Sequence, residues 1–349
     1  MNKNLKYIIN KNLKINTINT NNINNKINTI NTNNKINTNN INNKININNT
    51  NNTNKKIIII VSKNIETIAL NIKKFLYEMK IDCEIKFNIS EEELIKSQYM
   101  NIIYLFIHTS MIHHNMLPHK FIVYQVEQST SNWFTKKYLN YLQKSNYIWE
   151  FSMKNKILYN NIDNINIDNK ITYMLMPFYY EKLESSHFDK CEFDIFFYGT
   201  CNVRRKNILN ILSKKYNIKI GFSLYGQLKE EMIKKSKIIL NLHYYRDCAL
   251  ESCRLNEILQ YNKIIISEKP TISDKDNQQL YENLVIFIDE ISDNLVNLVN
   301  LEQLYEKINF YLDKTNYMNY LQNSDIYKNE LHIKSKKNLE KNIEKISFY

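Results

Sequence analysis

The 349-residue chain has almost no glycine or proline, three of each. Its glycines stand at positions 199, 221 and 226 only. Neither G-x-G-x-x-G nor G-x-x-x-x-G-K-[ST] can be written from them, so the dinucleotide fingerprint and the P-loop are excluded. Cysteine is sparse too. Cys83, Cys191, Cys201, Cys248 and Cys253 are odd in number and include no C-x-x-C pair, which points to reduced thiols and a cytoplasmic setting. No apolar run approaches the roughly 18 residues of a membrane span, so no transmembrane segment is expected. The N-terminus carries lysine but no apolar core, and does not read as a secretory signal.

Acidic residues are absent from positions 1–56, which hold nine lysines. The net charge of +12 therefore sits mainly in this tail, and the other 293 residues carry +3. Asparagine makes up 25 of the same 56 residues, in near-repeats with Ile, Thr and Lys and with no glycine or proline. Such a tract buries too little apolar surface to offset chain entropy, so residues 1–55 read as a low-complexity disordered tail. Nucleic-acid binding would rest on that tail, and nothing in the nearly balanced body points to a specific nucleic acid.

What remains alternates between short apolar runs and helical stripes. Residues 57–61, 81–87, 102–107, 121–126, 146–149 and 171–176 read as strands, with helices over 65–79 and 133–142. A second series begins near Phe193. It has strands over 195–198, 218–222, 238–242, 264–266 and 285–288, and a helix over 203–212. Two successive βαβ series predict an α/β protein with two Rossmann-like domains facing across a cleft. The expected layout is a first domain over 56–180, a polar linker over 181–192 and a second domain over 193–320. A C-terminal helical segment over 321–349 is expected to pack on one face only.

In such sheets ligands sit at the carboxyl ends of strands. His108 and Glu127 end strands of the first domain. Gly199, the run His243, Tyr244 and Tyr245, and the pair Ser267 and Glu268 end strands of the second. Arg204 and Arg205 fall in the first turn after Gly199, where cations oppose the helix dipole unless an anion compensates. Glu251, Arg254 and Glu257 follow at spacings of three. They suit either an exposed ion-pair ladder or a site at the strand end. The histidines 108, 113, 114 and 119 do not match a closed zinc spacing, and Asp274 and Asp276 form only a short D-x-D in a polar loop. No metal is expected.

The stretches DIFFYGTCNVRRKNIL, YGQLKEEMIKKSKIILNLHYY and ALESCRLNEILQYNKIIISE resemble the donor domain of group-1-like glycosyltransferases of the GT-B fold. LPHKFIVYQVEQ, NWFTKKYL, YIWEFSMKN and YMLMPFYY are similar to the acceptor domain of the same subset, so the resemblance spans about 56–320. It implies transfer of a sugar from a UDP- or GDP-sugar to a glycan, protein or lipid acceptor. It implies no metal and no cofactor beyond the nucleotide-sugar, and a place in carbohydrate metabolism. It places Gly199, Arg204 and Arg205 at the donor diphosphate, and Tyr225 and Gly226 near the base or ribose. His243, Tyr244 and Tyr245 would border the sugar, Glu251, a catalytic candidate, and Arg254 would contact the donor, and Ser267 and Glu268 would close the pocket. Glu127 and His108 become the acceptor-side bases. Many relatives carry two glutamates eight residues apart, whereas here Ala249 stands eight before Glu257. Retention or inversion is thus left open, as is the alternative of an inactive GT-B-like binding or scaffold protein. Within residues 243–257, His243, Tyr245, Glu251 and Arg254 are the favoured donor contacts, and Glu257 and Arg246 read as solvated surface.

Overall fold

The structure, a computed structural model, describes residues 56–97, 101–108, 117–159, 167–182, 188–292 and 299–346. The Asn-rich tail and His113 and His114 lie outside these residues.

The first series forms β1 (Lys56–Ile60), α1 (Glu66–Glu78), β2 (Asp82–Lys86), α2 (Glu91–Ser97), β3 (Ile102–Ile107), β4 (Phe121–Gln125), α3 (Lys136–Lys144), β5 (Tyr147–Glu150), α4 (Met153–Tyr159) and β6 (Ile171–Tyr173). The six strands are parallel in the order β2-β1-β3-β4-β5-β6. The apolar runs of β1, β3 and β4 are buried on both faces, as parallel strands under helices must be. In α1 the residues Ile68, Ala69, Ile72, Phe75 and Leu76 bury one face against this sheet. Helix α3 starts later than the pattern over 133–142 suggests. Thr135 caps it by accepting from the Tyr138 N–H, which leaves Trp133 in the preceding loop.

The second series forms β7 (Phe193–Tyr198), α5 (Val203–Leu212), β8 (Ile218–Gly221), α6 (Gly226–Lys234), β9 (Ser236–Asn241), α7 (Ser252–Leu259), β10 (Ile264–Glu268), α8 (Lys275–Gln279) and β11 (Ile286–Ile288). These strands are also parallel, in the order β11-β10-β9-β7-β8. Each sheet therefore reverses direction once, between β1 and β3 and between β7 and β9. At those two reversals the neighbouring loops diverge and leave a crevice.

Two further helices, α9 (Val299–Leu312) and α10 (Lys314–Glu344), follow the second sheet. The C-terminal helical segment expected over 321–349 lies within the single helix α10, which starts earlier, at Lys314, and extends roughly 45 Å over its 31 residues. Its buried positions recur every three or four residues from Tyr317 to Ile343. Tyr317 and Leu321 enter the core of the second sheet, whereas Leu339 and Ile343 enter that of the first. Strand β6 stops at Tyr173 because α10 takes over its backbone partners. The Leu175 N–H donates to Asn338 Oδ1 at 2.9 Å, and the Phe178 N–H donates to Ser335 Oγ at 3.2 Å. Among the described residues no helix is long and apolar enough to cross a membrane.

Candidate active site

A cleft of about 600 Å³ opens where the reversals of the two sheets meet, within the size range of small-molecule sites. Its first wall is His108 and Glu127. His108 ends β3 in the left-handed region at φ 62°, and its Nε2 pairs with Glu127 Oε2. A non-glycine residue held there marks backbone fixed by its surroundings.

Glu127 follows β4 and is fixed through its main chain. Its N–H donates to Gln125 Oε1 at 2.6 Å, and its carbonyl accepts from Gln125 Nε2 at 2.8 Å and from Asn155 Nδ2 at 3.0 Å. Asn155 also donates to the buried Glu150, which accepts further from the Ser152 N–H and the Tyr159 hydroxyl. Burial pushes the Glu150 carboxyl up to about 8 against those hydrogen bonds. Burial also pushes Glu127 upward, but hydrogen bonds and charge from His108, with help from Ser131 and the Gln128 N–H, hold it below the ordinary glutamate value. Glu127 is thus a carboxylate placed to orient the His108 imidazole.

The second wall is the reversal between β7 and β9. Gly199 leaves β7 at φ +125°, which side-chain-bearing residues rarely adopt. A Cβ there would lie 3.5 Å from both terminal nitrogens of Arg254 and 3.8 Å from Arg205 Nη1. Asn202 caps α5 by accepting from the Arg205 N–H, and Arg205 then turns back over the strand ends. Its guanidinium donates to the Thr200 carbonyl at 2.7 Å and to the Leu242 carbonyl, and it lies 3.9 Å from Glu251. Burial lowers its pKa to about 10 despite Glu251. Arg254 donates to the Tyr198 carbonyl and lies 4.1 Å from the centre of that tyrosine's ring. Arg205 Nε, Arg254 Nε and Glu251 Oε2 are buried without a hydrogen-bond partner among the described residues. Buried polar atoms of this kind ordinarily find partners, so three of them around one strand end mark a place for a polar ligand.

His108, Glu127, Gly199, Arg205, Tyr225, Tyr244, Tyr245, Glu251 and Arg254 all line the cleft. Five residues expected at the donor do not. Arg204 points under the loops, with its guanidinium paired to Glu268 and bonded to the carbonyls of Ile291 and His243. Glu268 accepts as well from the N–H groups of His243 and Ile291, at 2.7 and 2.8 Å. The anion that compensates Arg204 is therefore the protein's own. Ser267 is buried against Asn241, His243 is 1 % exposed, and Gly226 opens α6 at φ 55° without reaching the cleft.

The ladder Glu251, Arg254, Glu257 does not form. Helix α7 begins only at Ser252 with Glu251 at its N-cap, and each of the three side chains has a partner elsewhere. Glu257 is not solvated surface: it lines the cleft, paired with Lys229 and accepting from the Tyr198 hydroxyl at 3.0 Å. Lys229 is 6 % exposed, which a lysine on the surface stripe of α6 gives no hint of in sequence. Sequence reading also passes over Trp133, exposed at the rim, and Gln128. The Gln128 amide spans the two domains, accepting from the Ala249 N–H at 2.9 Å and donating to its carbonyl at 3.0 Å. Its position directly after Glu127 is the one signal that could have singled it out.

Asp274, weighed above as half of a D-x-D, is a buried peg. It accepts from the Ser152 hydroxyl and the Leu250 N–H, both at 2.7 Å, and from Asn277. His119 is exposed. Among the described residues no group of His, Cys, Asp and Glu is disposed to hold a metal ion.

No protein-family profile matches the chain. An uncharacterized protein of Acanthamoeba polyphaga mimivirus is 26% identical over 208 residues, which is 57% of this chain and 70% of that one. Among solved structures, a glycosyltransferase involved in avilamycin A biosynthesis aligns at TM-score 0.43 and 8% identity, covering 80% of this chain and 98% of its own. A Listeria monocytogenes protein described as a UDP-N-acetylglucosamine 2-epimerase aligns at 0.39 and 9%, over 76% and 90%. MurG of Acinetobacter baumannii aligns at 0.31 and 8%, over 81% and 95%. By its own strand order the chain has two parallel Rossmann-like sheets that turn their reversals onto one cleft, the arrangement that the GT-B resemblance implies.

Proposed function

We propose that the protein transfers a glycosyl group from a nucleoside-diphosphate sugar to an acceptor hydroxyl. One observation carries this reading. Two guanidiniums with unpartnered N–H groups, Arg205 and Arg254, line the cleft opposite a histidine–carboxylate pair, His108 and Glu127. In the proposed step the His108 imidazole takes the hydroxyl proton while Glu127 stabilises the imidazolium. The freed oxygen attacks the anomeric carbon, and the bond from that carbon to the diphosphate breaks. Charge then develops on the departing diphosphate, where Arg205 and Arg254 stabilise it. This geometry favours direct displacement with inversion.

The test is incubation with UDP- and GDP-sugars and an acceptor panel, reading free nucleoside diphosphate alongside a thermal shift. Stabilisation by one nucleotide with release of its diphosphate is expected. Unchanged turnover in both Arg205→Ala and Glu251→Ala would sink the site assignment. A second reading, a module that binds the donor without transferring it, is favoured by Glu257. Lys229 and Tyr198 already occupy that carboxylate, whereas Glu251 Oε2 has no hydrogen-bond partner among the described residues. Thermal stabilisation with no diphosphate release under any acceptor would select it.

A further inference from the structure

Away from the cleft, the connection that enters β7 carries Cys191, and its thiol lies against a buried lysine. Lys263, the residue before β10, is 4 % exposed. Its amine donates to the Lys234 carbonyl at the end of α6 at 2.7 Å and to Cys191 Sγ at 3.4 Å. The same carbonyl lies 3.9 Å from Cys191 Sγ. A thiol and an amine thus converge on one acceptor, with the amine held against the sulfur by the fold. Cys191 is only partly buried, so a small oxidant from solvent has access to it. Burial lowers the Lys263 pKa below the ordinary lysine value, which raises the fraction of amine carrying a free lone pair.

We propose that Cys191 and Lys263 are a redox modification site, at which hydrogen peroxide drives formation of a covalent sulfenamide between Sγ and Nζ. Peroxide first transfers one oxygen to the thiol, giving a sulfenic acid and water. The neutral amine then attacks sulfur. The S–N bond forms, the S–O bond breaks, and the hydroxyl leaves with an amine proton as a second water. Sulfur is oxidised, peroxide is reduced, and the protein loses two hydrogens. An excess of thiol reverses the step by attacking sulfur and returning the amine. The bond would tie the chain entering β7 to the chain entering β10 across the end of α6, and so fasten the connection between the two sheets.

The experiment treats the reduced full-length chain with hydrogen peroxide and maps it by peptide mass spectrometry. The expected product is a linked pair of peptides, lighter by two hydrogens, joining Cys191 to Lys263 and released by dithiothreitol. In Lys263→Arg the link should vanish, and Cys191 sulfenic acid should become trappable by dimedone. In Cys191→Ser both signals should be lost. The proposal is overturned if wild type traps dimedone at Cys191 as fully as Lys263→Arg does. It is equally overturned if oxidised Cys191 appears only as a disulfide or as higher oxyacids. Wild type carries the decisive measurement, so poor folding of a variant does not shield the proposal.

Discussion

The two walls of the cleft are built by the same topology and do opposite things with charge. On the first, Glu127 has its backbone N–H and carbonyl clamped by Gln125 and Asn155, while its carboxylate is spent on His108. On the second, Arg205 and Arg254 are aimed by backbone carbonyls at strand ends and retain unpartnered N–H groups. The first wall thus holds a histidine–carboxylate pair already joined within the protein before any ligand arrives. The second holds one buried and one half-buried cation, Arg205 and Arg254, each with an Nε that has no hydrogen-bond partner among the described residues. A strand carboxyl end offers carbonyls, and those carbonyls attract guanidiniums whether or not a ligand is present. Arg204 is completed by a carboxylate hydrogen-bonded to it, Glu268, whereas Glu251 stands off from Arg205 at 3.9 Å.

The largest effect should come from the first wall. His108→Ala is expected to lower transfer about 10²- to 10⁴-fold with nucleotide-induced thermal stabilisation unchanged. If that stabilisation disappears too, the walls are not separate. Arg205→Ala should do the converse, losing about 10²- to 10³-fold in turnover together with the thermal shift by nucleotide. Arg204→Ala, in contrast, should lower the melting temperature, because it strands Glu268 in the interior.

The support beneath the first wall can be probed by pH. The Glu150 carboxyl, raised to about 8, binds a proton in the folded chain across a range where the unfolded chain has lost it. Its contribution is therefore complete at acid pH and declines as pH rises toward about 8. Melting curves of wild type and Glu150→Gln should diverge by several degrees over that window, with the glutamine variant gaining relative stability as pH rises. Parallel curves would mean that Glu150 titrates normally. The smallest effect is expected at the seam between the walls. Gln128→Ala removes both hydrogen bonds to Ala249 and should cost about 1–3 kcal/mol in denaturant unfolding.

Much of the architecture is legible along the chain. Buried parallel strands must be continuous apolar runs, and the runs at β1, β3, β7, β9 and β10 are hard to read otherwise. Strand ends follow from strands, so nine of the residues picked out at or near them do line the cleft. Helix α10 was harder. Its buried face includes Ser324, Lys328, Ser335 and Asn342, which carry no apolar signal: Lys328, Ser335 and Asn342 bond to backbone or polar groups of the segments beneath, and Ser324 donates to the Leu321 carbonyl of its own helix.

By itself the sequence determined that there are two βαβ series, where their strands end, and that glycine-rich phosphate loops are excluded. Those are local properties, set by side-chain period and residue type. Only the tertiary structure decided which ionisable group answers which. Arg204 and Arg205 are neighbours in one helical turn, yet one is completed by Glu268, 64 residues away, and the other faces the cleft. Glu251 and Glu257 differ likewise, through Arg205 and Lys229. Successive residues on a helix point about 100° apart, so adjacent identical side chains meet different surroundings. Those surroundings are assembled from strands distant in sequence, and no local pattern encodes them.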